Sequence, residues 1–385
     1  MAILRKEDVT GLEPGMRVDD VPTPALLIDL DRMENNIAEL QRFVTQQGKQ
    51  LRPHIKTHKI PEIALMQERL GAHGIAAAKP AEAEVFVDAG CRDIVVAFPT
   101  VGADKWRRLA ELARTARVSV NVDSEEQARG LNAAALEADT VIQVQIEIDS
   151  GLHRVGLDQT DQAGIAAFAR LLMSLPGIEL EGVTTHRGKY TERLAAMSND
   201  EAGYEEGSVV AAIADQLRAD GISIAEVTAG GSITARGVAQ APGVTEVRAG
   251  TYVLNDAMQV AHGSCTESDV AVSVLATVVS TRISGWATID AGSKTFSGDR
   301  AVSGDKTAGH VPVAPGIDID AAVMRITEEH GMVQLGDGVR VEIGQRLRFM
   351  PFHVCTAVNL SNEVVGVRNG LVEKVWPVLA RGRRT

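Results

Sequence analysis

Residues Leu51–Phe98 read LRPHIKTHKIPEIALMQERLGAHGIAAAKPAEAEVFVDAGCRDIVVAF. A short run rich in β-formers, Leu51–Lys56, is followed by a stretch of helical length, a second run Gly74–Ala78, an amphipathic segment Ala81–Ala89 and a third run Asp93–Phe98. The same alternation continues outward through Val118–Val122, Val141–Asp149, Leu180–His186, Ala225–Gly230 and Val244–Ala249. Segments such as Ala103–Thr115 and Glu125–Leu136 separate these runs, with apolar residues at i, i+3 and i+4. Strand–helix alternation implies a parallel sheet. Eight units in about 200 residues is the size of a (β/α)8 TIM barrel, expected here over residues 31–250. A doubly wound open sheet is the competing fold, with about five to seven strands and a glycine-rich first turn. The turn after Leu51–Lys56 is Thr57-His58-Lys59, without glycine, which favours the barrel.

On either side the texture changes. Val270–Ser280, Gly285–Asp290, Val339–Ile343, Arg346–Met350, Glu363–Val367 and Val372–Val378 read as strands with Gly, Asn and Asp turns and no long helix between them. Residues 251–385 are therefore expected to form an all-β domain. Thr23–Leu30 reads as one more strand, followed by a helix from near Asp31; residues 1–30 are expected to lend that strand to the β domain.

Composition narrows the function classes. With 39 Lys+Arg against 51 Asp+Glu, the net charge of −12 disfavours phosphate backbones and anionic lipid, so neither nucleic acid nor membrane is an expected partner. An aromatic share of 3% argues against stacking platforms for single strands. No apolar run reaches about 18 residues and the start lacks an apolar leader core. Three scattered cysteines, Cys91, Cys265 and Cys355, suit a reducing cytoplasm and no disulfide framework.

Barrel chemistry sits where the strands end. The first run ends in His54, Lys56, His58 and Lys59; the fifth in Asp149, His153 and Arg154; the sixth in His186 and Tyr190. The seventh ends in Gly230, Gly231, Ser232 and Thr234, and the eighth in Arg248, Gly250, Tyr252 and Asn255. In AGGSIT two glycines before Ser and Thr leave backbone N–H groups bare for a phosphate; the bland alternative is a tight turn with a serine cap. A position after strand seven favours phosphate. Lys56, ending a strand, is expected to point into the barrel mouth, where desolvation and cationic neighbours free its amine as a nucleophile. An amine opposite a phosphate site suggests pyridoxal phosphate held as a Schiff base; Lys59 is the rival lysine, and a solvated loop lysine the bland reading. His353 and Cys355 are two apart, which on a strand puts both on one face, where imidazole and thiolate can share a metal ion. Zinc suits that donor pair, although a buried histidine beside a structural cysteine is the more common explanation of such spacing. Cys91 and Cys265 read as ordinary buried thiols, and His73, His262, His310 and His330 as structural or solvated.

R-P-H-I-K-T-H-K after T-P-A-L-L-I-D-L-D, then E-I-D-S-G-L-H-R-V-G, T-H-R-G, G-G-S-I-T, E-V-R-A-G-T-Y, E-E-H-G and H-V-C, in this order, resemble the D-threonine aldolase / D-serine dehydratase family. Those are fold-type III pyridoxal-phosphate enzymes, relatives of alanine racemase. The resemblance implies an alanine-racemase-like barrel, a β domain built from both termini, and a homodimer. It also implies catalytic roles for Lys56, His54 and His186, with Lys56 as the Schiff-base lysine. Gly231, Ser232 and Thr234, with Tyr252 nearby, match the phosphate binders. Arg154 matches the residue near the phenolic oxygen, Tyr190 a residue at the pyridine ring, and His353 and Cys355 the metal ligands. Zinc is the first choice of metal, with manganese or magnesium as alternatives. Zinc-dependent dehydratases of the family carry His-x-Cys, several aldolases His-x-Asp. The implied substrate is a D-β-hydroxy-α-amino acid, cleaved to glycine and an aldehyde or dehydrated to ammonia and a keto acid. The competing functions are an amino-acid racemase of the same fold, with no use for the H-x-C pair, and a pyridoxal-phosphate carrier without turnover.

Overall fold

The computed structural model describes residues 11–189, 192–299, 311–314 and 316–385; Tyr190 and His310 lie outside them. Two compact units emerge. One comprises Met1–Ala38, Thr57–Ile60 and Thr251–Gly382, the other Glu39–Lys56, Pro61–Gly250 and Arg383–Thr385. The division runs through the helix Leu30–Gln46 and sends the short turn after Lys56 to the first unit.

In chain order the strands are β1 (Ala25–Asp29), β2 (Gln50–Pro53), β3 (Ile75–Ala77), β4 (Asp93–Val96), β5 (Arg117–Val122), β6 (Ile142–Asp149), β7 (Leu157–Asp158), β8 (Ile178–Thr185), β9 (Glu226–Ala229) and β10 (Glu246–Ala249). They continue with β11 (Val272–Ser280), β12 (Trp286–Ile289), β13 (Val311–Pro312), β14 (Ala321–Ile326), β15 (Gly331–Leu335), β16 (Arg346–Phe349), β17 (Glu363–Arg368) and β18 (Leu371–Pro377). The second unit holds a parallel sheet in the order β2-β10-β9-β8-β6-β5-β4-β3. A bridge between His54 and Ala76, with the Ile55 amide donating to the Ala76 carbonyl at 2.8 Å, joins the first strand to the last. This is the nearly closed eight-stranded barrel that the alternation foretold.

The strands are buried, yet many positions along them are polar. Arg52, Asn121, Gln145, Glu147, Thr184, Thr228, Glu246 and Arg248 are all buried. Arg52 donates to Glu246 and to Asp93, both at 2.6 Å. A fully buried guanidinium is tolerated only because those two carboxylates compensate it.

The first unit is built on the mixed sheet β13-β14-β15-β12-β11-β1-β17-β18, with β16 on β11. β1 runs antiparallel to β11 and parallel to β17, so the N-terminal segment does supply a strand to the β unit. Leu27, Leu275, Val365, Val367 and Val372 pack there with Val21. Val339–Ile343, expected as a strand, is not one: Gly338 and Gly344, at φ of 77° and 89°, bracket it with turns. The strands β14 and β15 had not been expected. E-E-H-G joins them, the Thr327 amide donating to the His330 carbonyl at 2.9 Å. A cavity of ≈ 370 Å³ in this unit is lined by Arg17, Arg346, Arg348, Arg368, Asp29 and Asp31 among others, and by none of the candidate site residues. No helix among the described residues is long and apolar enough to cross a membrane.

Candidate active site

β2 stops at Pro53, so Lys56 does not end a strand as expected; it sits in a turn two residues past the His54 bridge. The His54 and Ile55 amides still donate to the Ala249 and Ala76 carbonyls at 2.8 Å, and the pairing ends at Lys56, whose amide turns back to its own neighbour's ring. Between Ile55 and Pro61, Lys56 is the one exposed residue. Its backbone N–H donates to His54 Nδ1 at 3.4 Å, which leaves the His54 proton on Nε2. Lys59, the rival, is buried at a φ of 56°, and its carbonyl accepts the Ala380 amide.

His186 follows β8. Its Nδ1 lies 3.0 Å from the Gly230 carbonyl, and since a carbonyl only accepts, Nδ1 carries the proton and Nε2 a lone pair. Burial, then Lys56, Arg154 and Arg248, depress its pKa to about 3. His54 is driven well below the ordinary imidazole range by burial, then Lys56, Arg248 and His186. Both rings are therefore neutral at physiological pH. Three cations share this neighbourhood, and Glu147, which faces Arg248 and Arg154, is pushed up by burial and accepts a hydrogen bond from Asn121. Arg248 donates to Thr184 through Nη2, while its buried Nη1 has no partner among the described residues. Such an orphaned buried donor is costly unless an anion meets it.

Two loops shape the rim. Asp149, at the end of β6, accepts from the backbone of Gly151 and His153 and contacts His153 Nδ1, each at 2.9 Å. Those bonds hold its pKa down against burial and turn the chain so that Arg154 is exposed. Gly156 sits at a φ of 109°, where a Cβ would lie 2.5 Å from the Asp149 amide nitrogen. After β9, Gly230 takes a φ of 102°, and a Cβ on Gly231 would come within 2.9 Å of His186 Cε1. The bare Gly231 lets the imidazole lie on the turn. Ser232 is half-buried beside it. Thr234 is buried, its hydroxyl donating to Glu206 at 2.9 Å and its amide to the Gly231 carbonyl at 3.1 Å, so it fastens the turn and spends both donors doing so. Ser232 does not cap the following helix, Ala235–Gln240; Thr234 occupies that position.

Glu206 was missed by sequence reasoning. Fully buried on the helix Asn199–Ala219, it also accepts from the amides of Arg187 (2.9 Å) and Gly230 (3.3 Å), pinning the loops after β8 and β9 together. An acid on the apolar face of an amphipathic helix is the only trace it leaves in the sequence.

The Tyr252 ring is buried, in a short 3-10 turn just after β10. His353 and Cys355 are not on a strand. His353 precedes the helix Val354–Leu360 and Cys355 lies in its first turn. Val354, Ala357 and Val358 are the buried residues of that helix, a helical spacing that overrides its β-branched content. The buried Asp256 carboxylate accepts the Val354 amide at 2.9 Å and so satisfies the helix start. The helix start brings His353 and Cys355 close all the same, near enough for the thiol to raise the imidazole pKa. Burial lowers the His353 pKa, but Cys355, Asp299 and Asp256 outweigh it and raise it to about 9. The Cys355 Sγ is 3.3 Å from the hydroxyl of Thr57, the residue after Lys56 in the chain. Among the described residues no third His, Cys, Asp or Glu completes a metal cluster, so a cation held here draws its other ligands from water or substrate. Cys91 is fully buried and Cys265, expected to be buried, is half-buried; burial pushes both thiols up to about 12, leaving them unreactive. Tyr190 lies outside the described residues.

The neutral imidazoles give a pH prediction. His186 binds a proton more readily unfolded than folded, so stability contributed by its neutral form is complete above the ordinary imidazole pKa and is lost as pH falls towards 3. The buried acids Glu147, Glu206 and Glu246, with raised pKa values, act in the opposite sense. The measurement is therefore a difference: between pH 7 and pH 5 the apoprotein's thermal midpoint should fall more for wild type than for His186→Asn. Equal slopes would show that folding does not depress the His186 pKa.

Comparison with known proteins places this geometry. The model of the alanine racemase N-terminal domain matches residues 28–257, and a serine dehydratase domain model matches residues 271–367. The chain is 34% identical to the D-threonine aldolase of Arthrobacter sp. over 376 residues, 96% of this chain and 95% of that one. It is 36% identical to the D-threo-3-hydroxyaspartate dehydratase of Delftia sp. over 349 residues, 86% of this chain and 90% of the relative. The crystal structure of the D-threonine aldolase from Filomicrobium marinum superposes with a TM-score of 0.87 at 29% identity, covering 98% of this chain and all of that one. A D-threo-3-hydroxyaspartate dehydratase has also been solved as a cysteine-to-alanine variant in a metal-free form, 32% identical to this chain with a TM-score of 0.84.

Proposed function

Because this chain belongs to the alanine racemase N-terminal domain family, among the D-threonine aldolases and D-serine dehydratases, and is a lyase of D-β-hydroxy-α-amino acids, we propose that it is the dehydratase kind, using pyridoxal phosphate and a divalent metal. The observation that carries the reading is the His353–Cys355 pair, thiol against imidazole at a helix start. A related dehydratase is known as a cysteine-to-alanine variant in a metal-free form.

The residues at the barrel mouth fit an anionic aldehyde. Lys56 offers an exposed amine, Arg248 an orphaned Nη1, Arg154 a second cation, and Gly231 with Ser232 a turn without a blocking Cβ. Thr234 supports the phosphate end through the turn it fastens; for Tyr252 and Tyr190 the proposal rests on the roles that the family resemblance implies, at the phosphate and at the pyridine ring. Bound pyridoxal phosphate supplies an electron sink for the bonds at Cα. Lys56 would hold it through the exposed amine, and that amine is the base we assign to the α-proton. His186 and His54, neutral and weakly basic, leave that proton to Lys56 and hold the turns around it. His353 and Cys355 would hold the cation, zinc by their nitrogen and sulfur donors, with manganese or magnesium as alternatives. Such a cation supplies a Lewis acid for the β-hydroxyl. The substrate loses an α-proton and a β-hydroxyl as water; hydrolysis returns the water and releases ammonia and a 2-keto acid. A homodimer in a reducing cytoplasm completes the reading, supported by the family and by three scattered thiols.

Retro-aldol cleavage has support of its own in the 34% identity to an aldolase. Incubation with D-serine, D-threonine and D-threo-3-hydroxyaspartate, with glycine, aldehyde, ammonia and keto acid assayed separately, decides. Ammonia with keto acid is expected. Glycine with aldehyde would replace the dehydratase by an aldolase, and an L-isomer alone would replace both by a racemase.

A further inference from the structure

Resting on the metal reading of His353 and Cys355, we infer that Asp299 is the positioning residue that sets which nitrogen of His353 meets the metal. Asp299 Oδ2 lies 2.6 Å from His353 Nδ1. A carboxylate only accepts, so this contact places the proton on Nδ1 and turns Nε2 the other way. An imidazole has one partner direction in the ring plane per nitrogen. With Nδ1 taken by Asp299, Nε2 is the nitrogen left for any further partner. A cation held by imidazole and thiolate together would therefore meet His353 through Nε2.

The carboxylate is itself held. Thr356, one residue past Cys355, donates its hydroxyl to Asp299 Oδ2 at 3.0 Å and is 2.9 Å from the Ser297 hydroxyl. Ser297 in turn accepts the Asp299 amide at 3.2 Å. The helix start that carries both ligands therefore also carries the group that orients their orienter. Asp299 is half-exposed and has no part in the β unit's apolar core; its contacts are with His353 and Thr356 at the helix start. Carboxylate–histidine pairs behind a metal fix the tautomer and strengthen the ligand, and losing one costs about 10–100-fold in metal affinity.

The test is zinc affinity, read by competition with a chromogenic chelator on the cofactor-loaded protein, together with cobalt substitution. Wild type, Asp299→Asn, Asp299→Ala, His353→Ala and Cys355→Ala are compared. Asp299→Asn is expected to weaken zinc binding by about 10-fold and Asp299→Ala by up to about 100-fold. The thiolate-to-cobalt band should persist in both, and so should the cofactor's visible absorbance. His353→Ala and Cys355→Ala should lose the site outright. Wild-type zinc affinity in both Asp299 variants, with loss in the two ligand variants, would overturn the inference and leave the metal reading standing. Unchanged affinity in the ligand variants would overturn the metal reading instead. A fall confined to thermal stability, with affinity intact, also counts against a positioning role.

Discussion

Lys56→Ala should give a colourless protein whose ammonia release from D-serine falls by roughly 10³-fold or more, because one amine is assigned both the tether and the α-proton. The variant should still fold. Lys56 is the exposed residue in an otherwise buried turn, and its backbone is held by His54 Nδ1 and by the Ile55–Ala76 hydrogen bond, which the substitution does not touch. Lys56→Arg keeps the charge and should also be colourless, which separates loss of a nucleophile from loss of a cation. Lys59→Ala supplies the contrast: a buried side chain in a left-handed backbone position should cost stability and leave the colour. Visible absorbance and activity are read on the same preparations. A yellow, active Lys56→Ala beside a colourless Lys59→Ala would move the tether three residues along the chain and take the proposed proton transfer with it.

All eight barrel strands were legible because each is a short run of apolar and β-branched residues closed by polar residues, and helical periodicity separates them. What the runs hid was the polar filling. Arg52, Gln145, Glu147, Glu246 and Arg248 are buried, and no local pattern distinguishes an acid that meets a guanidinium 194 positions away from one in solvent. Glu206 escaped for the same reason: its partners lie on two loops that only the closed barrel brings together. In the β unit, β14 and β15 were missed because the first is followed by acidic residues and the second is flanked by glycines, which dilute a strand signal to its weakest. The helix Val354–Leu360 was not expected, because its two valines and one threonine favour a strand and only the spacing of Val354, Ala357 and Val358 marks a helix.

The site was legible at its ends and not in its geometry. His54, Lys56, Arg154, His186 and Gly231 stood out as polar or glycine residues after strands, and the structure gathers the charged ones into one electrostatic neighbourhood. Arg248 was seen at the rim, but its orphaned nitrogen is a property of the packed interior. Thr234 shows the converse. A threonine in a glycine turn reads as a phosphate donor, yet its hydroxyl goes to Glu206, which sequence could not offer as a partner.

Cys355→Ala should lose its metal and fall in dehydration by more than about 10²-fold, since a single imidazole remains and even the groups behind a metal ligand are worth about 10–100-fold in affinity. The cofactor colour should persist, because Cys355 and Lys56 are assigned to different groups. The sharper experiment is Cys355→Asp. It recreates the His-x-Asp pattern that the family resemblance associates with several aldolases, exchanges a soft sulfur donor for a hard oxygen, and should shift metal preference from zinc towards manganese. Thr57, whose hydroxyl lies 3.3 Å from the cysteine sulfur, can still donate to a carboxylate, so the substitution keeps that partner. If the ligand atom decides how strongly the β-hydroxyl is polarised, Cys355→Asp reconstituted with manganese should release more glycine and aldehyde per ammonia than wild type does with zinc. An unchanged product ratio in a metal-loaded Cys355→Asp would mean that substrate pose, and not the ligand atom, chooses between the two cleavages. Full activity of Cys355→Ala in the presence of chelator would remove the metal from the reaction altogether.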